Sequence, residues 1–212
     1  MKNGKFIVIE GIDGAGTTTQ SKLLHKYLTD MGVRTHITRE PSDGRLGRMV
    51  REVLSGRLAS SAGTPFDRRA LALLFAADRM DHIISEIAPK INACEVVISD
   101  RYTLSSLAYQ SIDCDLRWVE TLNSQAMLPD LYIFLRVPPS VSLKRIENSR
   151  KKKDIFEELM FLEKVASAYE KAMKGIPGHL LHVIDGELTR DEVFEKIRAA
   201  TVQLLGTGGD NV

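Results

Sequence analysis

Cysteine is nearly absent from this chain of 212 residues: there are two, Cys94 and Cys114, at no metal-binding spacing. That excludes a disulfide framework and a cysteine-built zinc site, and two reduced structural thiols are expected. A surplus of one charge sign is missing too, the formal net charge being +1, so bulk electrostatics give no support to a general nucleic-acid binder. Long apolar runs are also lacking. The first, Phe6 to Ile9, is far shorter than a secretion signal's core or the roughly 20 residues that cross a bilayer. A cytoplasmic protein with neither nucleic acid nor membrane as partner is expected. No repeat, linker or shift of composition divides the chain, so 1–205 reads as one domain and 206–212 as a frayed tail.

What is present alternates in kind. Phe6–Ile9, Glu95–Ile98, Leu131–Leu135 and Leu180–Ile184 are short runs rich in β-branched residues, as in strands buried on both faces of a parallel sheet. Val33–Thr38 is more polar and reads as an edge strand. Leu23, Leu24, Tyr27, Leu28 and Met31 share one helical face, closed by Gly32. Thr64-Pro65 reads as the start of a long helix that ends near Pro89. Further helices are predicted over 116–127, 140–148, 156–173 and 189–205. The face formed by Ile83, Ile84 and Ile87 serves either the core or a subunit contact. The alternation implies a three-layer α/β fold with right-handed crossovers.

In such folds ligands bind beyond the carboxyl ends of the strands. Glu10 and a glycine loop follow the first strand, Thr38-Arg-Glu-Pro41 the second, Ser99-Asp-Arg-Tyr102 the third and Arg136-Val-Pro138 the fourth. These groups are predicted to meet in one cleft. The glycine loop, "GIDGAGTTTQ", matches the phosphate-loop pattern G-x-x-x-x-G-K-[ST] at Gly11, Gly16 and Thr18, but carries Thr17 where lysine is expected. Gly11, Gly14, Ala15, Gly16, Thr17, Thr18 and Thr19 would cradle an anion with backbone N–H groups at a helix start. Alone, the loop reads equally as a bare turn. Thr18 and Asp100 are placed to hold Mg²⁺, Asp100 directly or through water, and Arg101 or Arg39 to clamp a phosphate. Each charged residue in isolation reads as half of a structural salt bridge. Together they fit a ligand with several phosphates better.

The segments "FIVIEGIDGAGTTTQ", "TREP", "LLFAADRMDH", "DRYTLSSLAYQ", "LPDLYIFLRV", "SRKKKDIFE" and "VIDGELTRDEV" resemble thymidylate kinases over nearly the whole chain. The resemblance implies a P-loop fold with a five-stranded parallel sheet of order 2-3-1-4-5, a lid at about 148–156, and a homodimer. It also implies Mg²⁺- and ATP-dependent phosphorylation of dTMP to dTDP. Phe75 would stack on the thymine and Arg79 would donate to a base carbonyl. The i,i+4 spacing puts both on one helix face, although Phe75 alone reads as a core residue. Ser106 would approach the base edge, Tyr109 would pack near C2′ of the sugar, and Gln110 would neighbour them. Arg39 and Arg101 would hold the acceptor phosphate, with Asp13 between sugar, phosphate and metal; Ser105 reads as structural. Gly14 stands where some members carry a P-loop arginine, and Arg150 matches the lid arginine that such members use instead. Lys151–Lys153 read equally as solvated surface, and Ile155 departs from a basic lid position.

Loss of one preorganised donor costs about 10²–10³ in turnover, so the lysine at position 17 should have a replacement. Lys22 lies more than a helical turn beyond the loop. Arg136, beside the first strand in the implied order, is the first candidate to replace it in part, with Arg150 to Lys153 contributing on lid closure. The competing reading pairs Arg136 with a surface acid. Two other functions stay open: a nucleotide-binding protein of weakened catalysis with a regulatory or scaffolding role, and a kinase of broader nucleoside monophosphate choice.

Overall fold

The computed structural model describes residues 4–146 and 152–206, with the backbone alone over 152–156. Its sheet has five parallel strands: β1 (Lys5–Gly11), β2 (Thr35–Arg39), β3 (Val96–Asp100), β4 (Leu131–Arg136) and β5 (Leu181–Asp185). Their order is β2-β3-β1-β4-β5. This is the α/β architecture and strand order implied by the sequence. Side chains of β1, β3 and most of β4 are almost fully buried, which explains their unbroken apolar runs. β2 is an edge as its polarity predicts. β5 is the opposite edge and half-exposed, whereas its run reads as doubly buried.

Nine α-helices flank the sheet among the described residues: α1 (Thr17–Asp30), α2 (Arg45–Leu54), α3 (Arg68–His82), α4 (Ala88–Asn92), α5 (Thr103–Tyr109), α6 (Leu116–Leu122), α7 (Pro139–Ile146), α8 (Lys152–Met173) and α9 (Arg190–Gly206). α1 and α9 pack on each other and against strands, as α5 and α8 do, the latter through Tyr169 against Phe134 of β4. The expected lid, including Arg150 and Lys151, lies wholly or in its side chains outside the described residues, as does the tail beyond Gly206.

The sequence-based helix boundaries need three corrections. The long helix starts at Arg68 rather than at Pro65, because Asp67 is the cap: its carboxylate accepts from the Arg69 N–H at 2.8 Å. The helix also runs past Pro89. A π-helical turn, Ile83–Ile87, intervenes, so the proline falls in the first turn of α4, where a missing N–H is tolerated. α2 and α5 are helices the sequence reading did not contain. Ile83 and Ile87 are buried in the core, and Ile84 alone of the three is exposed.

Candidate active site

The carboxyl ends of the strands come together in register, Ile9 beside Asp100, Asp100 beside Arg39, and Gly11 beside Leu135. Between β1 and α1 the loop turns on Gly14 and Gly16, with φ of 79° and 95°. Both angles are left-handed and suit glycine. At Gly14 a side chain would also strike the Ser142 carbonyl, 2.7 Å from an ideal Cβ. The buried Ser142 of α7 donates its hydroxyl to the Asp13 carbonyl and so clamps the loop from outside. Thr17 begins α1, is buried, and carries no charge into the loop.

Glu10, the last side chain of β1 before the loop, is fully buried. Its Oε1 accepts from the Tyr102 and Ser105 N–H groups at 2.8 and 3.2 Å; its Oε2 accepts from the Ser105 and Tyr169 hydroxyls at 2.6 and 3.1 Å. α5 has no side-chain cap of its own, so a carboxylate from another strand caps it. Burial pushes the Glu10 carboxyl up, against the pull of the Ser105 hydrogen bond and the Arg101 charge.

Arg101 adopts φ of 73°, strained for a side-chain-bearing residue. Its N–H donates to the Ile9 carbonyl and its own carbonyl accepts from the Ser99 hydroxyl, at 2.9 and 2.7 Å. The guanidinium thereby reaches back over the loop. Nη1 donates to the Gly11 carbonyl at 2.9 Å, Nη2 to Asp13 Oδ1 at 2.7 Å, and the group lies over the Tyr109 ring. Burial would lower its pKa, but the surrounding Tyr169, Tyr109, Asp13 and Glu10 raise it, so the group stays charged. Thr18 donates to Asp100 Oδ2, while Asp100 Oδ1 is buried with no partner among the described residues. A hydroxyl beside a half-satisfied carboxylate suits a hard cation such as Mg²⁺.

Two cavities flank the loop. The larger, about 440 Å³, is walled by Asp13, Phe75, Arg79, Arg101, Ser106, Tyr109 and Gln110 among others. Phe75 is half-buried and outside the core cluster, so the core reading of this residue is set aside. Arg79 is 2% exposed, and its Nε is buried without a partner among the described residues, as is Gln110 Oε1. Glu40 and Phe161 also wall this cavity; Glu40 was expected only as part of the second strand end, with no role of its own, and Phe161 was missed because nothing local marks it in a long amphipathic helix. The smaller cavity, about 320 Å³, is lined by Gly14, Ala15, Gly16, Thr19 and Gln20 of the loop and α1, with Arg145 of α7 and Arg190 of α9. Those two arginines were missed as well. Arg190 follows the "DGELT" segment after the fifth strand, and the rule that pointed to the other four strand ends would have found it.

Two expected residues stand apart. Arg39 pairs with Asp43 at 2.7 Å and is not in the cavity wall. Arg136 makes a two-pronged pair with Glu170 of α8, at 2.7 and 2.9 Å, half-exposed, and it lines neither cavity. The geometry matches the reading of Arg136 as a strand-end arginine paired with a surface acid.

A glycine loop between β1 and α1, a threonine–aspartate pair, and cavities on either side of the loop define a P-loop kinase of the three-layer α/β class. Comparison with known proteins narrows this. The thymidylate kinase family profile matches residues 9–197, and the chain belongs to that family. It is 38% identical over 209 residues to a probable thymidylate kinase of Thermococcus gammatolerans, covering 97% of this chain and 99% of that protein. The corresponding protein of Thermococcus kodakarensis is 40% identical over 205 residues (95% and 98%) and that of Methanocaldococcus jannaschii 43% over 172 (80% and 81%). No helix among the described residues is long and apolar enough to cross a membrane.

Proposed function

We propose that the protein transfers the γ-phosphoryl group of ATP to dTMP in a Mg²⁺-dependent reaction, giving dTDP and ADP. The observation that carries the reading is where the unsatisfied buried polar atoms fall. Of the six such atoms among the described residues, Arg79 Nε, Gln110 Oε1 and the Tyr102 hydroxyl belong to wall residues of the larger cavity, and Gln20 Oε1 to the smaller. Asp100 Oδ1 lies beside Thr18, and only the Thr201 hydroxyl, in α9, stands apart from the site. Buried groups of this kind cost about 1–3 kcal/mol each unless a ligand meets them. A deoxynucleotide base would be met by Phe75, Arg79, Ser106 and Gln110, its sugar by Tyr109, and its phosphate by Arg101, with Arg39 at the outer edge. The triphosphate would lie on the backbone of Gly11 to Thr19.

In the reaction a nonbridging oxygen of the acceptor phosphate attacks the γ-phosphorus. The bond from that phosphorus to the β,γ-bridging oxygen breaks, and its electron pair leaves with ADP. The acceptor is already anionic, so no side-chain base is required; alignment and charge neutralisation are what the protein supplies. Thr18 and Asp100 would hold Mg²⁺, directly or through water, and the ion would neutralise phosphate oxygens. Arg101 does the work the loop lacks at Thr17, because its guanidinium is already bonded to the loop at Gly11 and Asp13. Arg150 would add a second cation from the lid.

A coupled ADP-release assay across dTMP, dUMP, dCMP and dGMP tests the reading: dTMP should give the highest kcat/KM. Saturable dTMP binding without ADP release would refute it. A homodimer in solution and a cytoplasmic location belong to the same reading, checked by light scattering and by cell fractionation.

A further inference from the structure

β2 and α3 are joined by a polar row, buried at Glu40, Arg79 and His82 and partly exposed at His36, Thr38 and Glu86. Alternate residues of β2 and its continuation, His36, Thr38 and Glu40, present one face to Arg79 and His82 of α3 and to Glu86 in the π-helical turn. Glu40 Oε2 pairs with Arg79 Nη2 at 2.7 Å, and both side chains are less than 5% exposed. Glu40 Oε1 faces His82 Nδ1 at 3.3 Å. His82 Nε2 meets the Thr38 hydroxyl at 2.7 Å and stands 3.7 Å from Glu86 Oε2, while Glu86 Oε1 meets His36 Nε2 at 2.8 Å. Nη2 of Arg79 also donates to Ser106 Oγ and the Tyr102 carbonyl, and Nη1 donates to Asn123. Nε is left without a partner among the described residues.

The geometry points to Glu40 and His82 as positioning residues that select the acceptor base, acting through Arg79. This rests on the larger cavity being the nucleobase pocket. Two effects follow from the distances. Glu40 fixes the turn of the guanidinium about its axis, so the remaining donors face a base edge that must accept, as the carbonyls of thymine or uracil do. Glu40 also walls the cavity and is itself an acceptor. Oε2 is turned to Arg79 and Oε1 to His82, so the carboxylate is held against α3 rather than towards the amino group of a bound cytosine. Rejection of the wrong base therefore comes from fixing the orientation of a carboxylate that would otherwise turn to welcome it.

The test measures kcat and KM for dTMP and dCMP, KM for ATP and thermal midpoint in wild type, Glu40→Gln, His82→Ala, His82→Gln and Thr38→Val. Loss of a charge-assisted bond at Arg79 predicts a rise of about tenfold in KM for dTMP in Glu40→Gln, with kcat and KM for ATP within about twofold. His82→Ala should lower the dTMP-to-dCMP preference about fivefold by freeing Oε1, and His82→Gln, which can still bond Glu40, should restore most of it. Thr38→Val removes the hydroxyl that holds His82 while keeping shape, so it carries the test if a larger change fails to fold; its selectivity should fall about twofold to threefold. Unchanged selectivity in folded variants, or a uniform loss of kcat, overturns the proposal. A wild-type protein that turns over no dTMP overturns the nucleobase-pocket reading and this inference with it.

Discussion

If Arg101 supplies the charge missing at Thr17, a lysine restored there should help less than its usual value, and the deficit should depend on Arg101. Removing one preorganised donor from such a site costs about 10²–10³ in turnover. Here the Arg101 guanidinium already holds the Gly11 carbonyl at 2.9 Å and Asp13 at 2.7 Å, and Thr17 lies beside Gly11, its methyl 3.3 Å from where a Gly11 Cβ would stand. A lysine at 17 would start next to this cation and share its work, so Thr17→Lys should raise kcat only about tenfold. Arg101→Ala should cost about 10³ in kcat/KM in the native background and about 10² beside Thr17→Lys, a coupling of about 1.4 kcal/mol. Arg136→Ala should cost less than about fivefold in both backgrounds, since a half-exposed ion pair contributes about 0–1 kcal/mol. Steady-state kinetics on the six proteins decide it. A loss of tenfold or more from Arg136→Ala that Thr17→Lys abolishes would refute the assignment and return the role to Arg136.

Glu10→Ala should remove about 3 kcal/mol of stability, several degrees of thermal midpoint, because four donors and the α5 cap lose a buried carboxylate. Arg145→Ala should raise KM for ATP several-fold and leave KM for dTMP unchanged, since Arg145 lines only the cavity on the far side of the loop; equal effects on both substrates would contradict the division of the site. A third expectation concerns pH. Burial alone would lower the His82 pKa, but the Glu40 hydrogen bond and the charges of Glu40, Glu86 and Asp78 outweigh it and raise it. A group raised on folding stabilises fully below its ordinary value, about 6.5, and loses that contribution as pH climbs through the folded value. The gap in thermal midpoint between wild type and His82→Gln should therefore be larger at pH 6 than at pH 9, as measured by calorimetry in matched buffers.

How much was legible follows from how local each determinant is. The strand order came only from the family resemblance, whereas the strands and the glycine loop could be read because apolar runs and turn glycines act within a few residues. α5 could not, because Thr103–Tyr109 has no cap of its own and depends on Glu10, 92 residues before Tyr102. α2 was legible and overlooked: Leu46, Met49, Val50, Val53 and Leu54 recur at helical spacing, although only Gly47 and Val50 of its ten residues are buried. Phe75 and Arg79 came from the family resemblance, which their i,i+4 spacing supports, whereas Glu40 was legible only as one strand-end group among several. Its carboxylate finds Arg79 only once β2 lies along α3.

The same non-locality explains how a loop without lysine remains a coherent site. The charged groups around the loop come from other elements: Arg101 and Asp100 from the end of β3, Arg145 from α7 and Arg190 from α9. Arg101 reaches Gly11 because Ile9 and Asp100 are register partners and because its own N–H is tied to the Ile9 carbonyl. A slip of one residue between β1 and β3 would turn Asp100 and Arg101 to opposite faces and uncouple both from the loop. The placing of Asp100 and Arg101 against the loop is thus set by sheet register.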